Sequence, residues 1–173
     1  MSNKLFLWLT FILPWLSLFF MNRRDIKRYM PVALFTAITG VLIFDVASSI
    51  NWWSIRETVF PFSFVSPHLI GFAPVVTMWL FKFTYKKWWY FLTADAILNL
   101  GHTYIFIQYL IARDIMLSNI PLWYGFVLAT INGILLYGYQ MWQENALGEG
   151  IHEILSSNLQ TVASKPLRKK KQN

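Results

Sequence analysis

The chain has 173 residues, of which 56% are hydrophobic and only 13% charged, with a mean hydropathy of +0.44. A soluble domain carries roughly a quarter of its residues as charges, and a soluble helix repeats them every turn along one face; here they fall in clusters between long apolar runs, which excludes a soluble globular fold. The absence of cysteine excludes disulfides, thiolate catalysis and cysteine-ligated metals, and the net charge of +7 reads as membrane topology rather than nucleic-acid binding, because the basic residues sit at the ends of apolar runs.

The first apolar run is about residues 5–21. Only Lys4 precedes it, Arg23, Arg24, Lys27 and Arg28 follow it, and no small-residue cleavage site is present, so it reads as a retained span rather than a signal peptide. Pro14 at its middle predicts a kink. The second run, about 31–50, is interrupted only by Asp45 and closed by the aromatic pair Trp52-Trp53. The third, about 60–81, carries Pro61, Pro67, Gly71 and Pro74, and a basic turn of Lys82, Lys86 and Lys87 follows. The fourth, about 88–111, opens on Trp88, Trp89 and Tyr90 and contains Asp95, Asn99 and His102. The fifth, about 121–142, opens on Trp123 and Tyr124 and includes Asn132. Each run has the roughly 20 residues that cross a hydrocarbon core of about 30 Å.

The expected fold is therefore an all-α integral membrane protein, a five-helix bundle over residues 1–142. With the N-terminus outside, twelve basic residues fall on the cytoplasmic side and three, Lys4, Arg56 and Arg113, outside, as the positive-inside rule requires. Residues 143–173 read as a cytoplasmic segment. Leu147, Ile151, Ile154, Leu155, Leu159 and Val162 recur at helical spacing, which predicts an amphipathic helix on the inner leaflet. Lys165, Arg168, Lys169, Lys170 and Lys171 follow as a basic tail facing anionic lipid, chiefly a topology anchor.

An ionisable side chain inside a span costs about 2.5–3.5 kcal/mol on insertion scales, so each one needs a reason. Asp95, Asn99 and His102 are spaced i, i+4, i+7 and share one helix face. At about 1.5 Å of rise per residue, Asp45, His68 and His102 all come to roughly 20 Å above the cytoplasmic ends of their spans, with Asn99, Asn132 and Asp95 below them. Pro67 and Pro74 each predict a carbonyl freed one turn earlier, near Ser63 and Ile70, with Gly71 between; a broken helix of this kind is tolerated where it lines a cavity or meets protein. Three readings of the polar set stay open: interhelical hydrogen bonds that hold the bundle, a proton or ion path, and a site with two imidazoles and a carboxylate on a metal.

No H-E-x-x-H, G-x-S-x-G, P-loop or G-x-G-x-x-G motif is present, and nothing selects an enzyme or a cofactor. From Asp45 with Trp52-Trp53 through Lys86-Lys87-Trp88-Trp89 to Asp95 and Asn99, about Met30–Trp142, the chain resembles small uncharacterised multi-span proteins of spore-forming Gram-positive bacteria. The resemblance implies a bacterial cell or spore membrane and transfers no activity. The expected function is that of an accessory or structural membrane protein associating with other membrane proteins; the alternative is a transport component for protons, ions or a small solute, which with an odd span count leans on a homo-oligomer or a partner.

Overall fold

The computed structural model describes residues 2–60, 62 and 66–163, with 147–163 as backbone alone. The expected basic tail at Lys165, Arg168, Lys169, Lys170 and Lys171 lies outside the described residues, as do Pro61, Ser63 and the side chains of the expected amphipathic face from Leu147 to Val162. The described chain is mostly helical. In order it runs α1 (Asn3–Ser17) with a 3-10 turn (Leu18–Phe20), α2 (Arg23–Ser49), β1 (Trp53–Ile55), α3 (Pro67–Ile70), α4 (Phe72–Thr84), α5 (Trp88–Gly101), a π-helical stretch (His102–Ile107), α6 (Gln108–Ala112), β2 (Met116–Ser118) and α7 (Leu122–Ala163).

Among the described residues three helical stretches are long and apolar enough to cross a membrane: Asn3–Phe20, Arg23–Ser49 and Leu122–Ala146. The third and fourth apolar runs are helical but interrupted. In the third, Pro67 stands in the first turn of α3 and Pro74 is the third residue of α4, positions whose N–H has no helical partner to lose. The prolines therefore open two helices instead of freeing carbonyls within one, and the break itself falls on Gly71.

The reason for that break is a close crossing. A Cβ on Gly71 would lie 2.5 Å from Phe11 Cα and 2.6 Å from the Thr10 carbonyl oxygen. Thr10 is four residues before Pro14, which sits inside α1 and has no N–H to return to that carbonyl. The two irregular points, a proline in one segment and a glycine in the other, thus meet backbone to backbone. In the fourth run the π stretch widens the helix by part of a turn just where His102 begins it.

The helix that carries the fifth run continues beyond it: α7 extends without a break to Ala163, and no proline interrupts it between Leu122 and Ala163. The chain packs as two units, Met1–Tyr137 and Gly138–Asn173. Within the second, Gln140 donates to Glu144 at 3.1 Å and the rings of Tyr139 and Trp142 lie 5.9 Å apart.

In the first unit, α2 and α6 end in the same way. Asn51 and Asp114 adopt left-handed φ values of 57° and 61°, and the N–H groups of Trp52 and Ile115 reach back to the carbonyls of Ala47 and Leu110 at 2.8 and 3.0 Å. These are Schellman caps built on the two non-glycine residues that tolerate them best. Each cap turns the chain into a strand, and β1 and β2 pair antiparallel with Trp53 opposite Ser118 and Ile55 opposite Met116. The start of α1 joins them: Asn3 Nδ2 donates to Glu57 Oε2 at 2.7 Å and to the Arg113 carbonyl at 3.2 Å. Leu7, Phe44, Val59, Leu110, Ile115 and Met116 form the core beneath this ribbon.

The opposite end is tied separately. Trp79 Nε1 donates to Ser17 Oγ at 3.1 Å, Lys82 pairs with Asp25 at 3.9 Å, and the Arg28 guanidinium lies 5.0 Å from the Tyr85 ring centre. Phe81, fully buried, packs there against Tyr29, Tyr85, Phe91 and Tyr137, which brings α2, α4, α5 and α7 together. Successive helical segments of this unit therefore run back and forth between two tied ends.

Candidate functional site

Between the two ends the helices line a half-open cavity of about 640 Å³. Its walls come from α1 through α7 and the π stretch, and Trp53 and Met116 of the β ribbon also line it. The walls are mostly aliphatic and aromatic. Ile97 and Ile105, 63% and 74% exposed, line it too, so on the α5 side the cavity wall reaches the outer surface.

His68, Asp95, Asn99, His102 and Asn132 all line this one cavity. The i, i+4, i+7 spacing of Asp95, Asn99 and His102 sets them on a common face, and the π stretch carries that face on to Thr103. Asp95 is 8% exposed and accepts a hydrogen bond at Oδ2 from Asn99 Nδ2 at 2.9 Å. Among the described residues no other hydrogen bond reaches its carboxyl group. Gly133 lies directly against that group, since a Cβ there would fall within 2.6 Å of Asp95 Cγ. A glycine at 133 is what leaves room for that carboxyl group against α7, and the neighbouring Asn132 lines the same cavity. Asn132 Oδ1 is buried without a hydrogen-bond partner among the described residues.

The two histidines sit at another part of the wall, in an aromatic cluster. His68, 2% exposed, shares a 2.6 Å hydrogen bond between Nδ1 and Ser66 Oγ. Its ring centre is 5.5 Å from that of His102 and 5.1 Å from Phe106, and His102 stacks on Phe106 and Phe72. Both imidazoles thus pack as rings among rings. Among the described residues no group of three His, Cys, Asp or Glu side chains is placed to hold a metal ion.

Asp45 is not part of this set, which corrects the expected Asp45–His68–His102 cluster. It is exposed, beside Leu42 and Val46, and does not line the cavity. Depth along a helix places a residue at a level but not at an azimuth. Phe44, one residue earlier, belongs to the buried stripe with Val32, Ala33, Thr36 and Ala47, and a step of one residue turns the side chain by about 100° onto the outer face. Sequence reasoning also missed Trp53 and Met116 at the cavity, which arrive there through a pairing of strands far apart in sequence. Gly133 stands among the small residues that read as a packing surface of the fifth run, with Ala129 and Thr130.

No family model matches the chain, and no curated protein or solved structure matches it.

Proposed function

We propose that the chain crosses the membrane five times, N-terminus outside and C-terminus in the cytoplasm, as a small accessory protein that holds an amphipathic molecule in its intramembrane cavity. The observation that carries this reading is the cavity itself: about 640 Å³ of mostly apolar wall with a few converging polar groups, the form that small-molecule sites between bundle helices take. The orientation rests on charge. Arg28, Lys82 and Lys87 mark one tied end and the β ribbon the other. Conduction of protons or ions fits less well, because Asp45 stands off the polar set and the imidazoles pack among phenylalanine rings.

The cavity reading is tested by extraction. Protein purified from native membranes in mild detergent should carry a small organic compound at near one equivalent, detected by native mass spectrometry. Ala129 lines the cavity from α7, and Ala129→Trp should push an indole into part of it and reduce occupancy about tenfold while the protein stays folded. A purified protein without a bound compound, or one retained equally by Ala129→Trp, contradicts the reading.

A further inference from the structure

The polar wall of the cavity has a chemical polarity of its own. Among its lining residues there is no lysine or arginine, and its one carboxyl group is that of Asp95. A phosphate, sulfate or fatty-acid carboxylate would therefore meet a like group and no fixed cation, only the ring-packed imidazoles of His68 and His102, which is unfavourable in a low-dielectric site. The acceptors, by contrast, are in place. One oxygen of Asp95 is engaged by Asn99 Nδ2, and the other receives no hydrogen bond among the described residues. Asn132 Oδ1 is buried and without a hydrogen-bond partner among the described residues. Gly133 leaves room on α7 for the Asp95 carboxyl group, and Asn132, the residue before it, lines the same cavity.

The geometry points to a lipophilic amine as the ligand: an apolar body in the aliphatic part of the cavity, and a nitrogen head donating an N–H to the Asp95 oxygen that Asn99 leaves unengaged. This rests on the cavity reading above and adds the class of head group. Whichever partner holds the proton, amine and carboxyl form one hydrogen-bonded pair, so no counter-ion has to enter with the ligand. The exposed wall at Ile97 and Ile105 gives the apolar body a route from the lipid side, while Trp53 and Met116 line the cavity from the ribbon end.

Three rigid probes with the same body and different heads separate the possibilities: 1-aminoadamantane, 1-adamantanol and 1-adamantanecarboxylate. Binding is measured by calorimetry to the full chain in nanodiscs of uncharged phosphatidylcholine, with empty nanodiscs subtracted. The amine should bind about tenfold or more tightly than the alcohol, as hydrogen bonds to a charged group do relative to neutral ones, and the carboxylate should bind least. Asp95→Asn should bring the amine down to the affinity of the alcohol, with adamantanol binding retained as the sign of a folded cavity. An alcohol or carboxylate that binds wild-type protein as well as the amine overturns the amine assignment and leaves the cavity reading standing, as does an Asp95→Asn protein that keeps the preference. Failure of all three probes overturns the cavity reading itself. Where the variant does not fold, the ranking on wild-type protein decides alone.

Discussion

Gly71→Ala should destabilise the protein by about 1–3 kcal/mol, the usual range for overpacking a closed contact, or prevent its accumulation in the membrane. The atoms a new Cβ would strike, Phe11 Cα and the carbonyl oxygens of Thr10 and Phe11, are all backbone, so no side chain can rotate away. Relief requires α1 to move off the α3–α4 junction. That separation would leave the Thr10 carbonyl, four residues before Pro14, without the close backbone neighbour it now has. The matched controls lie within the same unit. Gly40→Ala places its Cβ at an ordinary 3.7 Å from Leu69 Cδ2, and a Cβ at Gly101 meets nothing within 4 Å. Both should be neutral or mildly stabilising, since alanine favours the helix over glycine by up to about 1 kcal/mol. Melting temperatures of the three variants in one detergent check this; a Gly71→Ala protein that melts with Gly40→Ala would remove the backbone crossing from the account.

Phe81→Ala should be the most damaging truncation in the helical core, with a loss of about 3 kcal/mol in the range known for buried phenylalanine. Its ring is fully buried and is shared by Tyr29 from α2, Phe91 from α5 and Tyr137 from α7, with ring centres 6.0, 4.9 and 6.1 Å away. In a bilayer the apolar surface gains little from leaving lipid, so the loss is one of packing contacts that the surroundings do not restore. Phe83, two residues on, is 71% exposed, and Phe83→Ala should change stability by less than about 0.5 kcal/mol. The comparison is read by reversible unfolding in mixed micelles. Equal effects from the two truncations would mean that the aromatic cluster does not hold the bundle end together.

How far the sequence reaches is clearest at particular residues. The helical segments fall on the apolar runs because each run is bounded by charges and interfacial aromatics, as at Arg23-Arg24 and at Lys86-Lys87-Trp88-Trp89. The shared face of Asp95, Asn99 and His102 was legible because spacing within one helix fixes azimuth as well as depth. Asp45 was misplaced because matching levels between helices leaves azimuth free, and the neighbouring buried stripe of Phe44 and Ala47 already pointed the other way. The break at 67–74 was legible, but its place was not. Prolines read as interruptions are, at helix starts, the residues best suited to begin a helix. The β ribbon had only two weak signals, Asn51 and Asp114, whose role as left-handed caps becomes evident once the strands they aim are seen to pair.

The proposed five crossings would place the cavity and Asp95 inside the membrane, whereas among the described residues three helical stretches are long and apolar enough to cross as single helices. Because the chain has no cysteine, single replacements report cleanly on which side each loop lies. Arg24→Cys, Arg56→Cys, Lys87→Cys and Asn119→Cys, all at exposed positions, should be treated in intact cells with a membrane-impermeant maleimide, before and after permeabilisation. Five crossings predict labelling of Arg56→Cys and Asn119→Cys in intact cells, and of Arg24→Cys and Lys87→Cys only after permeabilisation. Labelling of positions 56, 87 and 119 from one and the same side would mean three crossings and would contradict the account.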